Sequence, residues 1–311
     1  MEHITQFARQ HWNKSFRSIK ELRNAEKLIY VLVDELGVSY VLKGEKENVQ
    51  SVEENCQFAN DLRAILPISM YFKTIQNTFT TQYGAYVFTL AEYLSEGEEI
   101  SSLTDIHLKE IATKLAIMHR YTLTNELTLQ KATSWSMFGG NETEEIGDYD
   151  ENELSFQLFE KTFHQHPKIS SIKEKYRELR GLLYQAWPSL PKVATQGDFC
   201  YYNMRFKEGK LVALFDFDLA GDEVLVNEFV AVAIYLSWHV PYEGALTSQE
   251  RYQLFVQQYE KERPLTMEER NVLPALFSII RAFRYDRVED GVADMENVEQ
   301  FLQETWKLLN T

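Results

Sequence analysis

The sequence predicts an α+β protein in two parts: a small antiparallel sheet carrying one long helix, followed by a larger, mostly helical part. Three observations lead there. Between residues 16 and 93, short runs of β-branched and aromatic residues alternate with turn signals. Beyond the polar break Ser95-Glu96-Gly97-Glu98-Glu99, apolar residues recur at helical spacing in one segment after another. The chain is also long enough, at 311 residues with 44% hydrophobic content, to bury a large core as one two-lobed unit or two domains. The break divides it into residues 1–94 and residues 95–311.

In chain order, Ile4, Phe7, Ala8 and Trp12 share one face of a short opening helix. Residues 16–22, 27–34 and 38–43 read as strands of a meander, with Glu35-Leu36-Gly37 as the turn between the last two. Residues 49–66 follow as a helix, with Val52, Cys56, Ala59, Leu62, Ile65 and Leu66 on one face and Pro67 as its stop. Strand character returns at 68–73, 78–83 and 85–93. Helices are then expected over 106–121, 153–164, 172–187, 228–238, 248–262, 267–285 and 295–309. The exception is residues 193–218, which alternate strand and turn. Residues 125–167 contain a polar, irregular stretch with Gly139-Gly140-Asn141 and the acidic run 142–153, which reads as a solvated loop or as a rim for a cationic molecule.

Composition narrows the function. A net charge of -15 argues against binding DNA or RNA, which takes clustered Lys and Arg. Two distant cysteines, Cys56 and Cys200, define neither a disulfide framework nor a zinc site, which fits a reducing cytoplasm. The seven histidines form no metal-ligand pair; His164 and His166 beside Pro167 read as loop residues. No apolar stretch approaches the roughly 20 residues that span a bilayer, and the first residues lack a secretion signal, so neither membrane insertion nor secretion is expected.

Chemistry concentrates in Thr195 to Asp218. Asp198 and Asn203 occupy one short loop, and Asp216 follows an apolar run, residues 211–215, that starts after the Glu208-Gly209-Lys210 turn. On local grounds Asp198 and Asn203 are ordinary turn formers. With Asp216 they supply what phosphoryl transfer from ATP requires: a base near the acceptor hydroxyl and hard oxygen ligands for Mg²⁺.

Gln196-Gly197-Asp198 to Asn203 and Leu214-Phe215-Asp216-Phe217-Asp218 resemble the HGDxxxxN loop and DFD strand end of the aminoglycoside phosphotransferase and choline kinase-like family. That resemblance implies a bilobal protein-kinase-like fold, with residues 1–94 as the nucleotide-binding lobe and 95–311 as the catalytic and substrate-binding lobe. It implies Asp198 as catalytic base and Asn203 and Asp216 as Mg²⁺ ligands. Tyr40-Val41-Leu42-Lys43 is similar to the strand whose lysine contacts nucleotide phosphates, with Glu54 as its ion-pair partner and Glu53 as the alternative. Leu90-Ala91-Glu92-Tyr93-Leu94 resembles the hinge whose backbone holds adenine, assigning Glu92 and Leu94 to the nucleotide site. Leu115-Ala116-Ile117-Met118-His119 resembles the LAxLH helix behind the catalytic loop, and His119 itself reads as a packing residue. The implied cofactors are ATP and Mg²⁺, the partner a small hydroxyl compound such as an aminoglycoside, choline or homoserine, and the assembly a monomer or homodimer.

The chain departs from that pattern in three places. No glycine precedes Gly37, so the turn around Arg23-Asn24-Ala25-Glu26 lacks the residue that lets backbone approach phosphate closely. Gln196 stands where the family has histidine. The acid supporting the catalytic loop is read as Glu228, within Asn227-Glu228. Two other readings are a pseudokinase-like nucleotide-binding module and a phosphatase in which Asp216 is the nucleophile and Asp218 the general acid.

Overall fold

Alternation in sequence becomes alternation in burial in the second and third strands of the N-terminal sheet. The structure is a computed structural model that describes residues 2–133, 136–139 and 150–311. Gly140, Asn141 and the acidic residues 142–149 noted above lie outside the described residues. The chain opens with α1 (Glu2–Trp12), which buries Phe7, Ala8 and Trp12. β1 (Phe16–Asn24), β2 (Leu28–Asp34) and β3 (Ser39–Glu45) form an antiparallel meander. Tyr30, Leu32, Tyr40 and Leu42 are its buried alternate residues, and a one-residue slip would turn them all to water. Gly37, at φ +86°, makes the β2–β3 turn, where the Asp34 carboxylate accepts the N–H groups of Leu36 and Val38.

α2 (Val49–Leu62) starts at Asn48, whose side chain accepts the N–H groups of Gln50 and Ser51. It ends short of the expected Leu66. Residue 66 precedes a proline and is disfavoured in helix, and the chain unwinds as Ile65 and Leu66 both donate to the Leu62 carbonyl. β4 (Thr80–Tyr83) and β5 (Tyr86–Glu92) complete a five-stranded antiparallel sheet of order β1-β2-β3-β5-β4. Residues 68–73 are not the strand their composition suggests. Phe72 donates to the Leu90 carbonyl and Met70 accepts from Glu92, while the Asn60 side-chain amide takes both the N–H and the C=O of Tyr71; the segment forms isolated bridges, Ile68 to Leu214 and Tyr71 to Ala91.

The chain continues through α3 (Asp105–Thr124), α4 (Glu151–Phe163) and α5 (Ile169–Ala186) to β6 (Lys192–Thr195), β7 (Met204–Lys207), β8 (Lys210–Leu214) and β9 (Gly221–Val224). The helices α6 (Leu225–Trp238), α7 (Ser248–Glu262), α8 (Met267–Ala282), α9 (Tyr285–Ala293) and α10 (Val298–Leu309) close it. Two of these elements were not expected. β9 pairs antiparallel with β6, from Lys192 opposite Val224 to Thr195 opposite Gly221, but its acids Asp222 and Glu223 mask the strand in the sequence. The helix expected over 267–285 breaks at Arg284, which is extended at φ −66°, ψ 139°, and α9 begins anew.

Two compact units result, one of Met1–Ile100 with Tyr201–Asp218 and one of Ser101–Cys200 with Leu219–Thr311. In the first, α1 packs with Tyr30, Leu32, Tyr40, Leu42, Phe88 and Leu90, while Val52 and Cys56 of α2 pack with Phe79 and Val87. Val87 and Phe88, neighbours on β5, thus serve opposite faces of the sheet. The β7–β8 hairpin joins this unit through a bridge between Glu98 and Phe206, with N–H···O distances of 2.8 and 2.9 Å. In the second unit α6 is apolar nearly all round, buries Phe229, Val230, Ala233, Ile234 and Leu236, and packs against α3, α7 and α8. A helix of that character is a core element. Among the described residues no helix is long and apolar enough to cross a membrane.

Candidate active site

Within the first unit, the β1–β2 turn, β3 and the segment after β8 bring together five charged side chains. Lys43 and Glu45 lie two apart on β3 and therefore on one face. After β8, Phe217 is buried and meets Phe58 of α2 edge-on, with ring centroids 6.1 Å apart, which leaves its neighbours Asp216 and Asp218 to the charged cluster. Asp216 has φ +63°, an uncommon conformation for a residue with a side chain, set at the end of the hairpin. Lys43 Nζ lies 3.5 Å from Asp216 Oδ1 and 3.4 Å from Glu45 Oε2, and it bonds Asp218 Oδ1. Lys27, in the turn before β2, bonds the other oxygen of Asp218.

These neighbours move each group's protonation. Burial alone would depress Lys43, but Asp218, Asp216 and Glu45 outweigh it and hold the ammonium well above its ordinary value. Burial would raise Asp218, yet Lys43 and Lys27 together hold its carboxyl well below the usual carboxylate range. Burial pushes Glu45 up to about 7, with Lys43 opposing. It also raises Asp216, again against Lys43, with the charge of Asp218 adding to the rise. Three carboxylates thus face two ammonium groups.

Asn203 closes a 3₁₀ turn, Tyr201–Asn203, immediately before β7. It is buried, its carbonyl accepts the Phe215 N–H at 3.1 Å, and Met204 pairs with Leu214, so residues 203 and 216 flank the same end of the hairpin. The donor chemistry suits a hard divalent cation: an amide, an excess carboxylate, and Asp216 at 43% side-chain exposure beside an Asp218 committed to two lysines.

The partner expected for Lys43 is corrected. Glu54 accepts the Gln50 amide at 2.9 Å along α2, and Glu53 accepts the N–H groups of Phe79 and Thr80 together with the Thr80 hydroxyl. Lys43 pairs instead with Asp218, Asp216 and Glu45. α2 reaches the DFD segment one residue further on, where Asn55 donates to the Asp218 carbonyl at 3.3 Å. Lys27, Glu45 and Asn55 escaped the sequence reading, although the i, i+2 spacing of Lys43 and Glu45 on a strand was a usable signal. In the hinge segment, Glu92 donates its N–H to the Met70 carbonyl and Tyr93 to that of Ser39, while Leu94 makes no described hydrogen bond.

The second unit holds Asp198 on a constrained turn. Gly197 has φ +80°, and a Cβ there would lie 2.0 Å from the Leu219 carbonyl oxygen, so only glycine fits. The Gly197 N–H donates to Glu228 Oε1 at 2.9 Å, the contact that the reading of Glu228 required. Gln196, fully buried, accepts the Asp198 N–H at 2.9 Å, and the Cys200 N–H donates to the Asp198 carbonyl at 2.7 Å. Behind the turn, Glu228 Oε2 lies 2.6 Å from His119 Nε2, and His119 Nδ1 lies 2.7 Å from the Tyr259 hydroxyl. Arg263 donates to that hydroxyl at 3.2 Å and to Glu269 at 2.8 Å. Burial keeps the His119 pKa below its ordinary value despite Glu228, so the imidazole is neutral. The arrangement that satisfies every group has Nε2–H donating to Glu228 and Nδ1 accepting from Tyr259.

No family model matches the chain. A homoserine kinase of Polaromonas naphthalenivorans (strain CJ2) is 35% identical over 89 residues, which cover 28% of this chain and 27% of that relative's length. Among solved structures, an amicoumacin kinase in complex with AMP-PNP and Ca²⁺ aligns over 99% of this chain and 93% of its own, with TM-score 0.63 and 15% identity. An aminoglycoside phosphotransferase from Alicyclobacillus acidocaldarius aligns over 94% and 92%, with TM-score 0.57 and 12% identity. The chain has the fold of the aminoglycoside phosphotransferases and related small-molecule kinases. At these identities the likeness speaks for fold and leaves chemistry to the site.

Proposed function

We propose that this protein is an ATP-dependent phosphotransferase that moves the γ-phosphate to a hydroxyl of a small molecule. The observation that carries the reading is the convergence of Lys43 from β3 with Asp216 and Asp218 after β8. Residues 1–94 are read as the nucleotide-binding lobe and 95–311 as the lobe that holds the acceptor. Lys43 sets its ammonium against the nucleotide phosphates, and the backbone of Glu92 to Leu94 faces the adenine edge. Asn203 and Asp216 would hold Mg²⁺, which when bound would supply positive charge against the phosphates. Asp198 accepts or orients the acceptor hydroxyl proton. Its turn, held by Gln196 and Glu228, fixes where that carboxylate sits. The acceptor belongs to the aminoglycoside, choline or homoserine type, and a net charge of -15 favours a cationic one. We place the protein in the cytoplasm, as a monomer or homodimer.

The phosphatase reading needs Asp218 protonated as a general acid. Two lysines hold that carboxyl well below the usual range, which removes the acid. The pseudokinase reading leaves unexplained why Lys43, Asp198, Asn203 and Asp216 are all present. In a thermal-shift assay, Mg²⁺-ATP is expected to raise the melting temperature and Asp216→Ala to remove most of the shift. Asp198→Asn is expected to keep the shift while abolishing Mg²⁺-dependent ADP release in a screen of hydroxyl-bearing metabolites and antibiotics. Absence of any shift at millimolar nucleotide sinks the reading, and an Asp198→Asn variant with full turnover removes Asp198 as base.

A further inference from the structure

We infer that Lys27 is a second polyphosphate-binding cation, replacing the phosphate contacts that the glycine-free turn before it does not offer. The inference rests on the nucleotide-site reading above. Pairing of the first two strands runs up to Asn24 opposite Leu28, so the turn between them is short. Its residues Asn24, Ala25 and Glu26 all carry a Cβ, which keeps backbone away from a phosphate, and the Ala25 N–H is already spent on the Lys27 carbonyl at 3.3 Å. The donor this turn presents is a side chain. Lys27 folds its ammonium onto Asp218 Oδ2 while Lys43 takes Oδ1, so a cation from the turn and one from β3 share one carboxylate.

The two lysine side chains are differently exposed, 35% for Lys27 and 16% for Lys43. Lys27 is therefore the one nearer solvent and free to follow a ligand. Carboxylate and phosphate oxygens are interchangeable acceptors for an ammonium. A nucleoside di- or triphosphate draws Lys27 from Asp218, and the bare nucleoside has nothing to offer it.

Isothermal titration of the full chain with AMP-PNP, ADP and adenosine, each with Mg²⁺, tests this in the wild type, Lys27→Ala and Lys27→Arg. Lys27→Ala is expected to weaken AMP-PNP about tenfold, the loss of roughly one charge-assisted contact. ADP should weaken less and adenosine not at all, and Lys27→Arg should restore most of the affinity. Unchanged AMP-PNP affinity in Lys27→Ala overturns the assignment, and so does an equal loss for all three ligands, which would report a distorted turn. A wild type that binds none of the three refutes the nucleotide site itself, whatever Lys27 does.

Discussion

Replacing Glu228 with alanine strips two buried donors of their acceptor at once. The Gly197 N–H, at 2.9 Å, and His119 Nε2, at 2.6 Å, both end on this carboxylate, and His119 and Gly197 are closed to water. Each orphaned buried group costs about 1–3 kcal/mol, so the expected loss is about 4 kcal/mol. In a unit of this size each kcal/mol moves the midpoint by about 2–4 °C, giving a fall of roughly 8–16 °C. Glu228→Gln should cost only about 1–2 kcal/mol. It keeps an acceptor for Gly197 but sets an amide donor against His119, whose ring must then change tautomer and leave the Tyr259 hydroxyl without its acceptor. Urea denaturation gives the energies, and hydrogen exchange at the Gly197 amide locates the effect. A loss below about 0.5 kcal/mol in Glu228→Ala, with unchanged exchange at Gly197, would refute the claim that this carboxylate holds the Asp198 turn.

Gly197→Ala places a Cβ 2.0 Å from the Leu219 carbonyl oxygen at φ +80°. It should lower stability by about 2–4 kcal/mol and abolish turnover while AMP-PNP still binds; a wild-type melting temperature would show that the turn yields. Burial pushes Glu223 up to about 7 against an ordinary 4.5, so the folded state favours its protonated form. Its stabilising contribution is complete below about pH 4.5 and falls away as pH rises through 7. Glu223→Gln should therefore match wild type near pH 4.5 and exceed it at pH 8, by on the order of 2–3 kcal/mol in urea unfolding. Equal pH dependence in the two proteins would overturn this.

Local chemistry made β2, β3 and α7 legible, because their burial periods are written in consecutive residues, and α6 legible through its nearly unbroken apolar run. Residues 68–73 misled for the opposite reason: only Met70 and Phe72 bond β5, and the outward backbone groups of Tyr71 end on the side chain of Asn60. β9 was hidden because Glu223 is buried against the Thr133 hydroxyl and the Val224 N–H, contacts that no strand propensity encodes. The extra break depends on two residues that leave helical backbone, Phe283 and the extended Arg284.

By itself, the sequence determined the α+β class and most of the order of elements, whose periods are local; it singled out Asp198, Asn203 and Asp216 by their place in a loop and at a strand end, and Lys43 only by resemblance to a known strand motif. Tertiary structure alone decided who meets whom. Lys43 finds Asp218 from 175 residues away and Lys27 finds it from 191, whereas Glu54, close by in sequence, goes to Gln50. A lysine ammonium in a buried cluster takes the carboxylate that packing brings nearest, and sequence distance plays no part in that choice.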